Sequence, residues 1–311
     1  IELCTEQNAE IGSWHVGLGD ALASAGRGGE AAKAYLSALE FIHDNDAIEV
    51  QRRAGQQFLV SGRISEGLSV IAEVLRKVGL PQLPSSPKKA LLALVLRRIR
   101  VAIRGLKYTE RNEADIPTDK LTRIDTCWAV AEGMALVDNI QGAAYQTLHL
   151  LLALEAGEPS RIGRALAMEA GFSASSGATE KAAALLEQAE QLANRIGSRP
   201  IVGLSRMIGA VSAVHSGRSE DAERCAVEAE EILSEQRGLS AWPLIIARVY
   251  HISALIDEGK IVDLCRVSRE FIDDALDRGN LFARIRVKVP KKLDDEGKQL
   301  IEQLKKYEQE Q

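Results

Sequence analysis

The stretch that decides the fold runs from His15 to Leu39 and reads H-V-G-L-G-D-A-L-A-S-A-G-R-G-G-E-A-A-K-A-Y-L-S-A-L. Gly19 and Ala31 lack side-chain bulk, so two helices can approach each other closely at these positions. Gly26 permits the positive φ of a tight turn between them, and Tyr35 falls on the inward side of the second helix. The stretch therefore predicts two antiparallel helices joined by a short turn.

The same pattern of small and large residues returns along the chain. Six positions recur with a shift of 36 residues, so that Gly19, Leu22, Gly26, Ala31, Tyr35 and Ala38 reappear as Gly55, Phe58, Gly62, Gly67, Ile71 and Val74. Looser copies have their turn glycines at Gly177 and Gly217, and a weaker copy has its glycine at Gly259. A single helix pair cannot bury its apolar face alone, so repeated pairs stack on one another. The sequence predicts an all-α solenoid of antiparallel helix pairs.

Composition limits the function classes. The chain has 311 residues, a formal net charge of -5 and 4% aromatic residues. An acidic balance argues against a nucleic-acid binder, because such proteins usually carry a basic footprint. No stretch reaches the roughly 20 apolar residues that a transmembrane helix requires, and we recognise no signal peptide. Because the chain begins with Ile1 rather than Met, we expect a fragment or a processed chain.

The cysteine residues indicate a reducing compartment. Cys4, Cys127, Cys225 and Cys265 are far apart and form no CxxC pair. Free cysteine is among the most buried residue types, and disulfides are rare in the cytosol. We therefore expect buried free thiols and a cytoplasmic protein.

Motifs of catalysis and cofactor binding are not recognisable. The glycines at Gly26, Gly28 and Gly29 fit no phosphate-binding loop, and no GxSxG sequence occurs. The five histidines show no metal-binding spacing such as HExxH. We predict no catalytic residue, no cofactor and no metal site, and hence no enzyme.

Proline-rich and polar stretches divide the chain into four predicted segments. Residues 1–80 hold the first repeats, 81–118 a linker and a basic amphipathic helix, 119–280 further helical hairpins, and 281–311 a tail of different character. The tail begins with Ile285, Val287 and Val289 alternating with basic residues, which is a strand pattern. A polar helix from Asp294 to Gln309 is predicted after it. The alternative for the alternating stretch is the end of an amphipathic helix.

The basic helix is predicted from Ser86 to Glu110. Its basic residues recur at helical spacing and form what we call the basic stripe: Arg97, Arg100, Arg104, Lys107 and Arg111. Apolar residues cover another side: Leu92, Val95, Leu96, Ile99, Ile103 and Leu106. The stripe predicts docking onto an acidic partner, a phosphorylated segment or an anionic surface. The alternative is an ordinary bundle helix with a charged outer face.

The repeat resembles the tetratricopeptide repeat, and the chain from about residue 10 to 280 resembles a more specific group. G-D-A-L-A-S-A-G-R-G-G-E-A-A-K-A-Y (19–35), R-I-D-T-C-W (123–128) and H-L-L-L-A-L-E-A-G-E-P (149–159) are similar to the C-terminal helical region of bacterial serine/threonine protein kinases with a predictive-ATPase module. The resemblance implies kinase and ATPase domains upstream in the parent protein. This chain shows no HRD, DFG or Walker A motif, so no kinase activity is expected of it.

The tail has a resemblance of its own. G-N-L-F-A-R-I-R-V-K-V-P-K-K-L (279–293) is similar to the C-terminal end of Hsp40 (DnaJ-type) co-chaperones, where a strand precedes a dimerisation helix. The chain lacks the HPD motif and the zinc-binding cysteines, so co-chaperone activity is not implied. The expected function is a non-catalytic scaffold that binds a protein partner or the upstream kinase and ATPase domains in cis. The alternative is a ligand-sensing arm of a signal-transduction ATPase.

Overall fold

A computed structural model describes residues 2–84, 86–135, 137–235 and 242–277. These ranges contain thirteen α-helices, a short 3-10 helix at Glu113–Asp115 and no strand. The helices are α1 (Glu2–Ser24), α2 (Gly28–Ala38), α3 (Asp44–Val60), α4 (Ile64–Lys77), α5 (Pro87–Arg104), α6 (Thr118–Met134), α7 (Asn139–Ala156), α8 (Pro159–Ser175), α9 (Thr179–Ile196), α10 (Arg199–His215), α11 (Ser219–Ser234), α12 (Trp242–Asp257) and α13 (Ile261–Asp277). They pack as adjacent pairs, so the predicted all-α helical-repeat solenoid is confirmed.

Five of the pairs are joined by the same glycine turn. The turn glycine has a positive φ at Gly26 (74°), Gly62 (80°), Gly177 (82°), Gly217 (68°) and Gly259 (69°). The amide of the next residue donates to a carbonyl five residues back, as from Arg27 to Leu22 at 2.8 Å. This bond satisfies a carbonyl at the helix end that would otherwise lack a partner. The predicted turn positions are therefore confirmed at all five glycines.

The first helix of a pair approaches the second where the sequence places its small residues. A Cβ built on Gly19 would lie 2.5 Å from the Tyr35 ring, and one on Gly55 would lie 2.9 Å from the Ile71 side chain. Tyr35 and Ile71 are both buried. Both glycines precede their contact by 16 residues. The shared spacing shows that the first two pairs are copies of one packing arrangement.

Helix α5 does not belong to a pair. It packs on α7, whereas α6 packs on α3, so the hairpin of α6 and α7 follows that of α3 and α4 in the array. Ser86 caps its first turn by accepting from the Lys89 amide, and Gly105 ends it with a φ of 71°. The predicted end at Glu110 is therefore wrong, because the backbone leaves the helix at Gly105. Helix α5 lies in a second layer outside the paired helices.

All described residues belong to one compact unit. The predicted segments 1–80 and 81–118, and 119–280 as far as residue 277, lie within this unit. The strand and the helix predicted within 281–311 lie outside the described residues.

The cysteine prediction is only partly confirmed. Cys127 is buried, and burial raises its pKa to about 12. Cys225 is partly exposed and Cys265 is exposed, so the expectation of buried thiols is wrong for Cys265. The Cys4 side chain lies outside the described residues.

Candidate functional site

The described residues form six helix pairs, namely α1 with α2, α3 with α4, α6 with α7, α8 with α9, α10 with α11 and α12 with α13. The first helices of these pairs line one groove with a volume of about 410 Å³. Its lining comes from α1, α3, α6, α8, α10 and α12, with smaller contributions from α2 and α11. The part formed by α3, α6 and α8 carries charged side chains: Glu49, Arg52, Arg53, Asp125, Glu132 and Arg164. The part formed by α10, α11 and α12 presents Ile201, Leu204, Leu233 and Leu244 among small polar residues and prolines. The groove thus has a charged half and an apolar half.

A buried chain of hydrogen bonds joins α3 to α6 in the charged half. Arg52 donates to Glu49 at 2.6 Å and to Gln56 at 2.9 Å, and Gln56 donates in turn to Glu132. Burial disfavours the charged guanidinium, but Glu49 outweighs it and raises the pKa of Arg52. Buried polar groups cost free energy unless they are paired. The network therefore fixes these side chains at the groove wall.

A second cluster joins α6 to α8 around Asp125. This carboxylate accepts from Arg161 at 2.7 Å and from Arg164 at 2.6 Å. Burial opposes its ionisation, but Arg164 and Arg161 together lower the pKa of Asp125 to about 2. Arg161 also pairs with Glu158 at 3.1 Å and with Glu113 at 3.0 Å. The cluster holds the two helices in register at the centre of the groove.

Trp128 contacts both this cluster and a buried histidine. The Arg164 guanidinium carbon lies 4.8 Å from the centre of the Trp128 ring, and the His149 ring centre lies 5.7 Å from it. His149 is fully buried, and burial, with Arg164 adding to it, lowers its pKa well below the usual value. A neutral imidazole packs as an apolar ring, so Trp128 is held by a guanidinium and by an uncharged ring.

The Asp125 cluster predicts a pH-dependent stability. The pKa of Asp125 falls from 3.8 to about 2 on folding, so its contribution is present above about pH 4 and is lost as the pH falls through about 2. We expect Asp125→Asn to lower the free energy of unfolding by about 2 kcal/mol at pH 7. The difference from the wild type should narrow below pH 4. Urea unfolding at pH 7 and below pH 4 measures the difference in the free energy of unfolding, and Asp273→Asn, at an exposed position, is the control. A difference between the wild type and Asp125→Asn that stays constant with pH would contradict the assignment.

The predicted basic stripe is not formed. Arg97 donates to the Ala144 carbonyl at 2.8 Å, and Arg104 donates to the Leu154 carbonyl at 3.0 Å, so both are fastened to α7. Burial lowers the pKa of Arg97. Arg100 is exposed on the helix, whereas Lys107 and Arg111 are exposed in the loop beyond it. The five residues do not share one helix face, and their role in partner binding stays a prediction.

The apolar side of α5 is also placed differently from the expectation. Leu92, Val95, Leu96, Ile99 and Ile103 are exposed, and only Leu106, in the loop, packs partly against the core. Arg98, which was not among the predicted site residues, instead points inward and pairs with the buried Glu169 at 2.7 Å. The alternative of an ordinary bundle helix with a charged outer face is therefore wrong for α5, because arginine side chains hold the helix with its apolar side outward.

Sequence reasoning did not identify the groove residues. Arg52, Asp125 and Arg164 lie on three different helices, and only the fold brings them together. A usable signal was present, since each is a charged residue in the first helix of a pair. In stacked helix pairs, a recurring side of the repeat forms the extended concave surface.

No helix in the described ranges is long and apolar enough to span a membrane. In the same ranges, no three histidine, cysteine, aspartate or glutamate side chains are grouped so that they could hold a metal ion. Comparisons with protein-family models, with curated proteins and with solved structures give no match.

Proposed function

We propose that this chain is a non-catalytic scaffold that binds a polypeptide segment of a protein partner in its groove. The observation that carries the proposal is the groove itself, which is lined by the first helices of all six pairs. Its charged half suits polar and ionic side chains, and its apolar half suits aliphatic ones. A segment with a charged part followed by an apolar part would match both halves.

The charged half is ordered before any partner binds. Arg52, Asp125 and Arg164 are held by partners within the chain at 2.9 Å or less. Binding therefore requires little further ordering of these side chains, and ordering is one of the main free-energy costs of association. This supports a surface for recognition rather than a cavity that must rearrange.

The finer proposal concerns the parent protein. The chain is the regulatory C-terminal part of a bacterial serine/threonine kinase–ATPase signalling protein in the cytoplasm, and the groove holds a segment of the upstream kinase or ATPase domains. Its support is the sequence resemblance, whose stretch 123–128 includes both Asp125 and Trp128. In this arrangement the scaffold positions or restrains the catalytic domains.

A pull-down with a blocked groove tests the scaffold proposal. Ser160 and Ser234 are exposed residues of the groove lining. The double variant Ser160→Arg with Ser234→Arg should therefore narrow the groove, and neither serine side chain makes a contact across the groove, among the described residues, that the change would remove. We expect the wild type to retain proteins from a bacterial lysate. The amount retained by the blocked variant should be at least about tenfold lower, which corresponds to about 1.4 kcal/mol of binding free energy. Mass spectrometry identifies the retained proteins, and a kinase or ATPase domain among them supports the finer proposal.

The control is Ser175→Arg, a single change of the same type at the exposed end of α8 away from the groove. It should retain the same proteins as the wild type. Equal retention by the wild type and the blocked variant would show that the groove is not the binding surface.

The size of the groove supports a second candidate, a ligand-sensing arm. Its volume of about 410 Å³ falls in the range of about 300–1,000 Å³ that small-molecule sites occupy. A ligand at 100 times its dissociation constant stabilises the folded state by about 2.7 kcal/mol. A metabolite library screened by thermal unfolding should then show a rise in Tm for the wild type that the blocked variant lacks.

A further inference from the structure

The outer face of α5 is an exposed aliphatic surface. Its members are Leu91, Leu92, Val95, Leu96, Ile99 and Ile103, of which Ile103 is 83% exposed and none is less than 44% exposed. Successive helical residues turn by about 100°, so these six side chains form one broad band along the helix. A contiguous apolar patch on a water-facing surface usually marks a site of interaction.

The exposure of this face is built into the packing of α5. Ala90 and Val101 are buried on the opposite side. Arg97 and Arg104 donate to carbonyls of α7, and Arg98 pairs with Glu169 of α8 while stacking on Phe172 at 4.0 Å. Rolling the aliphatic face inward would break all of these contacts. These contacts therefore hold the helix with its apolar side outward.

Positive charge surrounds the outer face. Residues 74–109 contain nine lysines and arginines and no aspartate or glutamate, although the chain as a whole has a net charge of -5. Lys88, Lys89 and Arg100 are exposed beside the aliphatic band. Within the underlying helix α7, the one acidic residue is Glu155, close to its C-terminal end. The surface that α5 offers is apolar at its centre and cationic around it.

We propose that the outer face of α5 binds the surface of an anionic lipid bilayer, with the helix lying parallel to the membrane plane. An interfacial helix buries its apolar side about 5–10 Å into the headgroup and acyl boundary, and lysine and arginine beside it attract anionic headgroups. The 18 residues of α5 give a contact line of about 27 Å. This docking is separate from the groove and does not depend on what the groove binds.

Two other occupants fit the surface less well. A second copy of the chain would bring the Lys88, Lys89 and Arg100 groups of one α5 against those of another, with no acidic residue in 74–109 to compensate. A partner helix that docks into a groove between helices has no such groove here, because the main contact of α5 within the described chain is with α7 beneath it and α5 forms a ridge. A deformable lipid surface accepts a ridge.

Vesicle flotation with the full chain tests the proposal. Vesicles of phosphatidylcholine alone are compared with vesicles of equal parts phosphatidylcholine and phosphatidylglycerol, at low salt. We expect the bound fraction to be at least about fivefold greater on the anionic vesicles, because each basic residue near the surface adds to the attraction. Raising the salt should reduce that difference, since screening shortens the range of surface charges.

Two variants separate the apolar and electrostatic contributions. Leu96→Glu with Ile99→Glu should abolish binding to both vesicles, and Lys88→Glu with Lys89→Glu and Arg100→Glu should remove the preference for anionic lipid. The matched control is Val262→Glu with Ile272→Glu, which changes two exposed aliphatic residues of α13 and should bind like the wild type. Circular dichroism confirms that each variant is folded.

Several outcomes overturn the proposal. The proposal fails if the wild type does not bind anionic vesicles, or if the variant Leu96→Glu with Ile99→Glu still binds them. It also fails if the α13 control loses as much vesicle binding as that variant does. Sedimentation velocity adds another: a wild-type dimer that Leu96→Glu with Ile99→Glu converts to a monomer would assign the face to a second copy. The groove variant Ser160→Arg with Ser234→Arg should still bind vesicles, which keeps this test independent of the scaffold proposal.

Discussion

Replacing Arg98 with alanine is expected to lower the free energy of unfolding by about 3–5 kcal/mol, the usual cost of removing one partner of a buried ion pair. Glu169 is fully buried, and Arg98 donates to both of its carboxylate oxygens, at 2.7 and 2.8 Å. Lys181 approaches the same carboxylate only at 3.3 Å from a half-exposed position, so it cannot replace the guanidinium. Chemical unfolding at pH 7 measures the loss.

The double variant Arg98→Met with Glu169→Leu is the control for this result. This variant replaces both charged side chains by apolar ones of similar size. Replacing a whole buried ion pair in this way often leaves the stability of the folded protein unchanged or increases it. We expect most of the lost stability to return in the double variant. If Arg98→Ala costs less than about 1 kcal/mol, as exposed ion pairs do, the pair does not fasten α5 to α8.

Replacing Gly157 with alanine is the second change with a large expected effect. Gly157 caps α7 with a φ of 87°, a conformation that costs other residues about 1–2 kcal/mol. A Cβ at this position would also overlap the Thr109 carbonyl oxygen, and overpacking adds about 1–3 kcal/mol. We expect a total loss of about 2–5 kcal/mol in urea unfolding. The loop after α5 should loosen as well, because the Gly157 carbonyl accepts from the Arg111 amide at 2.9 Å.

Gly177→Ala separates these two contributions. Gly177 has a φ of 82°, and its Cβ would meet nothing within 4 Å. Gly177→Ala should therefore lower the free energy of unfolding only by the cost of the positive φ, about 1–2 kcal/mol. If both variants lose the same amount, the contact between Gly157 and Thr109 does not matter for stability.

The helix pairs could be predicted because their signals are local. Gly26 and Gly62 mark turns, and Gly19 lies on the helix face that meets Tyr35 only 16 residues later. Small and large residues at fixed spacing then predict both the helices and their contact. These are short-range relations, and a single sequence shows them directly.

The orientation of α5 could not be predicted for the opposite reason. The sequence shows that α5 has a basic side and an apolar side, but not which side meets the rest of the chain. The deciding partner of Arg98 is Glu169, 71 residues away. Long arginine stems can themselves cover apolar surface, so a basic residue does not have to face water.

The groove posed the same difficulty. Gln56 and Glu132 are hydrogen-bonded across 76 residues, and Arg161 meets Asp125 across 36. Each residue alone resembles an ordinary charged position on a helix surface. Only the stacking of the pairs, together with the displacement of α5 to a second layer, brings them to one wall.

The linear stacking of the pairs has a mechanical consequence. Each pair makes its main contacts with the pair before it and the pair after it, so the array behaves as a chain of coupled units rather than as one indivisible body. A terminal pair can open by giving up a single interface, whereas the hairpin of α6 and α7 has neighbours on both sides and α5 on top of it. Amide exchange should therefore be fastest at the ends and slowest at this hairpin. A partner lying along the groove would couple the separate units and make the array unfold as one.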